Sequence, residues 1–433
     1  MGALTQTYVD PSIAADSGSG TVGDPYGDLQ YALNQITRDG TNGDQINIKA
    51  GTEEILAAAL TLATYGTPTA TAPLIFRGYT SAADDGGEGE IDCNGANLFA
   101  SSYNYLILKD LDVYNGAGSA AMVNLGTYCV VENCAVHQNS GALAHGVSLS
   151  TAGVIRNCHV YDVGGQGITC QDGLVEFCFV ENGPSNNCSN AIVCGTAISN
   201  LVSVSAASNG IVSSGNTARI ENNSVYSAAG SGSGISVAAS SRATVLNNVV
   251  EGFSAGGGIG IEHTQASSDL VLYGGNACYD NATEYSVTGD VLINLGSNET
   301  LASSPFTDAA NDDFTPTSTL LALPSSFKGA SCYTDVVKGA CQEGSGLGTG
   351  GGTTTVVVPA VLRRRQPARF VRRRSHARSP VVIAQTITDD SPKIVSPVRK
   401  RMVRLIRRPI QHLVCQQVNQ TTNVFVENRL IRK

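Results

Sequence analysis

Tryptophan is absent from the 433 residues, and methionine occurs three times. Positive charge is almost missing from most of the chain: residues 1–360 hold nine Lys and Arg against 33 Asp and Glu. No apolar run reaches eighteen residues, and the opening "MGALTQTYVDPSIAADSG" is polar, without a charged segment followed by an apolar one. Neither a membrane span nor classical secretion is therefore expected. Twelve cysteines are too few for a disulfide scaffold at this length. No four Cys or His have zinc-site spacing. Gly-rich phosphate loops, nucleophile elbows and dinucleotide fingerprints are also missing.

What is present is glycine, at 48 residues, and a repeat. The segments "YLILKDLDVY", "YCVVENCAVH", "AGVIRNCHVY", "DGLVEFCFVE", "TAISNLVSVS", "ARIENNSVYS" and "ATVLNNVVEG" align on Asp110, Asn133, Asn157, Phe177, Asn200, Asn222 and Asn247. Spacings of 20 to 25 residues indicate a solenoid. An aliphatic residue precedes each anchor by two places, and a Val follows six of the seven by three. Five residues apart, the two would face opposite sides of a straight strand. Both are apolar, so the chain bends at the anchor, where Asn tolerates left-handed backbone and would stack into an amide ladder. A small residue precedes a second strand start at Gly146, Gly167, Ala191, Gly210, Gly234 and Gly258. Short strands joined by bends make an all-β fold, a parallel β-helix.

The repeats resemble the right-handed parallel β-helix superfamily, the pectate-lyase-like fold, over roughly residues 6–320. "TYVDPSIAADSGSGTVGDPYGDLQYALNQI" is similar to the family's N-terminal cap, with a short helix around Gly27–Ile36. "LASSPFTDAANDDFTP" resembles the closing segment of bacterial and phage structural β-helix proteins. The implied organisation is a cap and first coil over 1–75, the β-helix over 76–320, a closing segment and Gly-rich linker over 321–355, and a basic arm over 356–433.

The resemblance also implies where chemistry would sit, since β-helix enzymes act on polysaccharides through acids, or calcium with a basic residue, along one outer face. The paired aspartates, Gly-His-Gly and Arg-Ile-Lys of the polygalacturonase pattern are missing, and Arg156, Arg219 and Arg242 are the only basic residues between 110 and 320. Asp162 and Glu181, with Tyr161 beside them, are the nearest approach to a carboxylate pair a rung apart. The acidic loop Ala82–Asp92 could bind calcium through oxygen ligands, though without EF-hand spacing. His137, His145, His159 and His263 read as surface or turn residues in different columns. Lys109, Glu132, Arg156 and Glu176 should pair across rungs, and Cys134, Cys158 and Cys178 should stack as buried thiols. Cys170 and Cys194 form a further near-adjacent pair. A disulfide would best suit Cys332 and Cys341.

Beyond the linker "EGSGLGTGGGTTT" the charge inverts. Residues 361–433 carry 18 Lys and Arg against three acids. Arg363, Arg364, Arg365, Arg369, Arg372, Arg373, Arg374 and Arg378 crowd one stretch, and Arg404, Arg407 and Arg408 follow. Nucleic-acid phosphate, an anionic membrane and an acidic protein surface could each receive them. Interleaved Val-rich runs and prolines favour a protein partner over nucleic acid or membrane, either another copy of this chain or an acidic structural protein. With no recognised catalytic set, the expectation is an assembly protein, a virion component such as a capsid decoration or fibre protein anchored by this arm. The alternatives are an extracellular or cell-surface lyase or hydrolase acting on acidic polysaccharide, or a glycan-binding adhesin.

Overall fold

The computed structural model describes residues 4–317, apart from 117–119, 140–144, 182–188, 206–207, 216, 238–241, 264–269, 288–290, 296 and 312. All of the described residues belong to one compact unit. The eleven arginines named above and Cys332 and Cys341 lie outside them.

The chain winds into parallel coils with three flat faces. Face 1 begins with Thr5–Val9, Asp44–Lys49, Leu74–Tyr79 and Leu106–Lys109, each paired in parallel with the next. Face 2 is an eleven-stranded sheet from Glu53–Ile55 to Glu299–Thr300. Face 3 starts at Val123–Leu125 and Val147–Leu149. Strands Gln166–Glu176 and Asn190–Ile198 run round the corner from face 3 to face 1, with a register shift between Cys170 and Leu174. The helix Leu29–Gln35, N-capped by Asp28, buries Leu29, Ala32 and Leu33 in the same core.

Alternate residues along each strand point inward, so the core is a stack of aliphatic columns. Val113, Val136, Val160, Val180, Val202, Val225 and Val250 form one, all at most 1% exposed. On face 3, the aliphatic column runs Val147, Ile168, Ile192, Ile211, Ile235 and Ile261. The last small residue of that series is therefore Gly260 rather than Gly258. A Cβ at Gly234 would lie 2.2 Å from Val250 and 2.7 Å from the Gly260 carbonyl, so the coils leave no room for a side chain there.

Between faces 1 and 2 the backbone turns through a left-handed residue. Asp110, Asn133, Asn157, Phe177, Ser199, Asn222 and Asn247 hold φ between 54° and 60°. Six match the expected anchors. In the fifth coil Ser199 takes the bend and Asn200 moves one place inward, into the column of Cys134, Cys158 and Cys178. From there the amide ladder runs Asn200, Asn223, Asn248, Asn276 and Asn298, with side-chain bonds of 2.9 to 3.0 Å. Each Asn oxygen also accepts a backbone N–H from the coil before it, as Asn223 does from Asn200 at 3.0 Å. The cysteines serve the same position, donating Sγ–H to carbonyls such as those of Glu132 and Arg156, both at 3.3 Å. Burial pushes the Cys134 and Cys178 thiols well above their ordinary range. Cys170 and Cys194 are register partners, and the eight described cysteines are all free and buried.

Outside face 1, Lys109 reaches Glu132 at 2.9 Å, and Arg156 lies 3.4 Å from Glu132 and 4.0 Å from Glu176. The alternating charges thus form the expected cross-rung ladder.

Candidate functional site on face 2

Face 2 gathers the titratable and aromatic side chains. In-register rungs lie about 4.8 Å apart, so like positions in successive coils meet face to face. One outward column is Tyr114, His137, Tyr161 and Glu181; its neighbour is Asp112, Ala135, His159 and Phe179. The rings stack: Tyr114 on His137 at 5.3 Å, His137 on Tyr161 at 4.5 Å, His159 on Tyr161 at 4.4 Å and His159 on Phe179 at 4.8 Å.

Ala135 is the small member of its column, directly across from Asp112. Asp112 meets His137 diagonally instead, with Oδ1 2.9 Å from Nε2. His159 Nε2 lies 3.5 Å from Glu181 Oε2, close enough for charge attraction but without a hydrogen bond. Both ring nitrogens of His159, and Nδ1 of His137, are buried without a hydrogen-bond partner among the described residues. Buried polar atoms in that state are rare and often mark functional sites.

Tyr161 is the centre of this group. Burial raises its hydroxyl pKa, and the negative field of Asp112, Asp162, Glu181 and Glu88 raises it further. It therefore stays a phenol, a donor rather than a base. Burial, reinforced by Asp112, Glu90 and Asp110, pushes Glu88 up to about 7, so this carboxyl keeps its proton close to neutrality. A protonated acid beside an acid already engaged by a histidine is the division of roles that acid–base chemistry requires.

Asp162 and Glu181 both act on Tyr161, but they are not register partners: Glu181 lies opposite Tyr161 itself. Asp162 sits at a left-handed bend, φ 52°, in line with Asn115 and Gln138. The histidines depart from expectation. His137 and His159 stack with Tyr161 in adjoining columns, because the period that aligns the anchors also aligns their flanks. Counting four places past each anchor finds Tyr114, His137, Tyr161 and Glu181. Glu88 had no such signal, since it precedes the first full repeat. His145 lies apart, accepting the Gln166 N–H at 2.7 Å.

In the acidic loop, Asp84 pairs with Arg77 and accepts from Gln45 at 3.2 Å. Asp85 accepts the backbone N–H groups of Thr80, Ser81 and Ala82 at 2.6 to 2.9 Å. These acids shape the loop rather than converge on one point. Among the described residues no three His, Cys, Asp or Glu side chains are grouped to hold a metal ion. Face 1 has a shallow groove of about 320 Å³ beside Arg219 and Arg242, without an acid–base pair; Arg219 there binds Glu221 at 2.6 Å. No helix among the described residues is long and apolar enough to cross a membrane.

The fold is a parallel β-helix solenoid. A family described as the right handed beta helix region matches residues 82–206. Solved structures similar to this chain include a pectate lyase, at 13% identity and TM-score 0.44, covering 75% of this chain and 91% of that one. The complex of XylC with xylose follows, at 9% identity and TM-score 0.37, covering 64% and 75%. A lacto-N-biosidase from Eubacterium ramulus is similar at 12% identity and TM-score 0.35, covering 68% and 67%. No curated protein matches the sequence. These likenesses correct the expectation of a virion component, whether capsid decoration or fibre protein, and with it the virion location: the similar structures are of carbohydrate-active or carbohydrate-bound proteins. The physical reason lies in where the closing segment packs: residues 306–316 return along the outside of face 2, through Phe314 against Phe179 and Tyr226, which carries no information about a virus.

Proposed function

We propose that this protein is a carbohydrate-active enzyme that hydrolyses a neutral glycan laid along face 2. The observation that carries the proposal is the outward strip of face 2, where His137, Tyr161 and His159 stack, Asp112 bonds His137 at 2.9 Å, Glu181 lies in register with Tyr161, and Glu88 directly precedes the strand Gly89–Asp92 that pairs beside Asp112. The acids suit glycosidic chemistry, and the outward edges of the stacked rings lie between them. Glu88 gives its proton to the leaving glycosidic oxygen as the bond to the sugar carbon breaks. Asp112, oriented by His137, takes a proton from the water that attacks that carbon. Tyr161 and Glu181, side by side on adjacent rungs, hydrogen-bond the hydroxyls of the sugar above them.

Charge separates hydrolysis from elimination on a uronate. The four arginines of the coil strands, Arg77, Arg156, Arg219 and Arg242, all belong to face 1, where Arg77 is held by Asp84 and Asp110 and Arg156 and Arg219 by glutamates. A uronate carboxylate on face 2 would meet carboxylates and no Lys or Arg of the coils, which is repulsive. A neutral chain has no such cost, so the proposal replaces the acidic polysaccharide expected from sequence. An extracellular or cell-surface setting belongs to the same proposal.

Release of new reducing ends from neutral polysaccharides tests it. Tyr161→Phe keeps the ring stack and removes only the hydroxyl. We expect kcat to fall about 100-fold, as loss of a group that positions the substrate does, with an unchanged melting temperature. Full activity in that variant would sink the assignment.

A further inference from the structure

The outward surface of face 2 differs at its two ends. Toward the N-terminus it continues past Tyr114 to Asp92 and Asn115, which bond each other at the exposed surface at 2.7 Å. Toward the C-terminus it meets a wall. Strands Phe306–Asp308 and Asp313–Pro316 pair antiparallel, joined by the turn Ala309–Asn311. This hairpin folds back onto face 2 and is fixed there by packing. Phe314 is 2% exposed, with its ring 6.2 Å from Phe179, 6.5 Å from Tyr226 and 5.2 Å from Phe306. Beyond it, Ser304 donates to Glu251 at 3.0 Å.

The position of the wall matters more than its presence. Phe179 is the register partner of His159, so cover begins one rung, about 4.8 Å, past the Tyr161 centre. Glu181 is the last acid of the column still in reach of solvent, its side chain 33% exposed. A chain lying along the rings can run on past Tyr114 but meets the hairpin at the other end.

We propose that the hairpin makes the enzyme act on chain ends, with Phe314 as the buried anchor that holds it across face 2. The glycan terminus abuts the hairpin, and the bond cleaved lies a fixed short distance from that terminus. This rests on the glycan-hydrolase assignment above, and the experiment separates the two.

Full-length protein is incubated with β-1,4-linked hexasaccharides of xylose, of glucose and of N-acetylglucosamine. Each is supplied free, or with one or the other terminus carrying a bulky blocking group, and products are sized by mass spectrometry. The expected result is one short product from a free hexasaccharide. Blocking one terminus, but not the other, should slow cleavage at least roughly tenfold, the scale of a steric misfit in a pocket. Phe314→Ala should restore cleavage of the blocked form and yield products from internal bonds. Equal cleavage of all forms by the native protein, at scattered bonds, overturns the wall and leaves the hydrolase assignment standing. No turnover of any hexasaccharide overturns both. Should Phe314→Ala unfold, as circular dichroism would reveal, the blocked and free comparison on the native protein still decides.

Discussion

Tyr161 keeps its proton because it is buried among acids, and Glu88 keeps its own close to neutrality for the same reason. The two cases differ in use. A phenol held this far from ionisation keeps its proton through turnover and serves only by hydrogen bonding, whereas a carboxyl near 7 can give up a proton and regain it within one turnover. The sign of the pH effect follows. The acid works while protonated, so the rate should fall as pH rises through about 7. Glu88→Gln should lower kcat about 100-fold and remove that falling limb, which a pH–rate profile from 5 to 9 would reveal. A profile with the same limb in both proteins would remove Glu88 from the mechanism. Of these groups, Asp162, Glu181 and Tyr161 were legible in sequence as a cluster. His137 and His159 were visible only as isolated residues, because their pairing depends on which column each occupies.

At the scale of the element, the bend between faces 1 and 2 decides what lies next to it. The left-handed residue turns the following side chain inward, where water cannot reach it. That position must be filled by an apolar group or by a polar one that its neighbours satisfy. Leu111 takes the first course and Asn223, Asn248 and Asn276 the second. The thiols of Cys134, Cys158 and Cys178 lie between the two, small and apolar but able to donate weakly to a carbonyl. Asn248 is held by four bonds, to Asn223 and Asn276 and to the Ile220 carbonyl among them. Removing it leaves several buried groups unpaired at about 1–3 kcal/mol each. We therefore expect Asn248→Ala to cost about 3 kcal/mol, measured by urea unfolding. A loss below ~1 kcal/mol would show that the ladder is replaceable. The repeat was legible here to within one residue. The error fell at Ser199 and Asn200, where two adjacent side chains both tolerate the bend and only the buried column distinguishes them.

Across the whole molecule, two more buried glutamates tie outlying pieces to the solenoid. Glu54 accepts the Leu29 N–H at the start of the helix, and Glu251 accepts Ser304 just before the closing hairpin. Burial raises each to about 7 from an ordinary value of 4.5. Between these values the folded chain retains protons that the unfolded chain has released. The resulting stabilisation is complete below about pH 4.5 and is lost as pH rises through about 7. The melting temperature should accordingly drop between pH 5 and pH 8. Substituting both residues by Gln should flatten the dependence, though Glu88 adds a share of its own. Scanning calorimetry across that range checks it, and a melting temperature that rises with pH would contradict the account.

The sequence by itself determined the solenoid, its period, its bends and its core columns. All of these follow from local chemistry repeated every 20 to 25 residues: Val and Ile alternate inward, Asn accepts the left-handed bend, and Gly sits where coils touch. Stacking then fixes what each coil's neighbour must be. Only the tertiary structure decided which face gathers the proposed site. Glu88 lies outside the repeat, Asp112 reaches His137 diagonally because Ala135 is small, and Phe314 returns to Phe179 from 135 positions further along the chain. None of these contacts is periodic, and a repeat pattern predicts only what repeats.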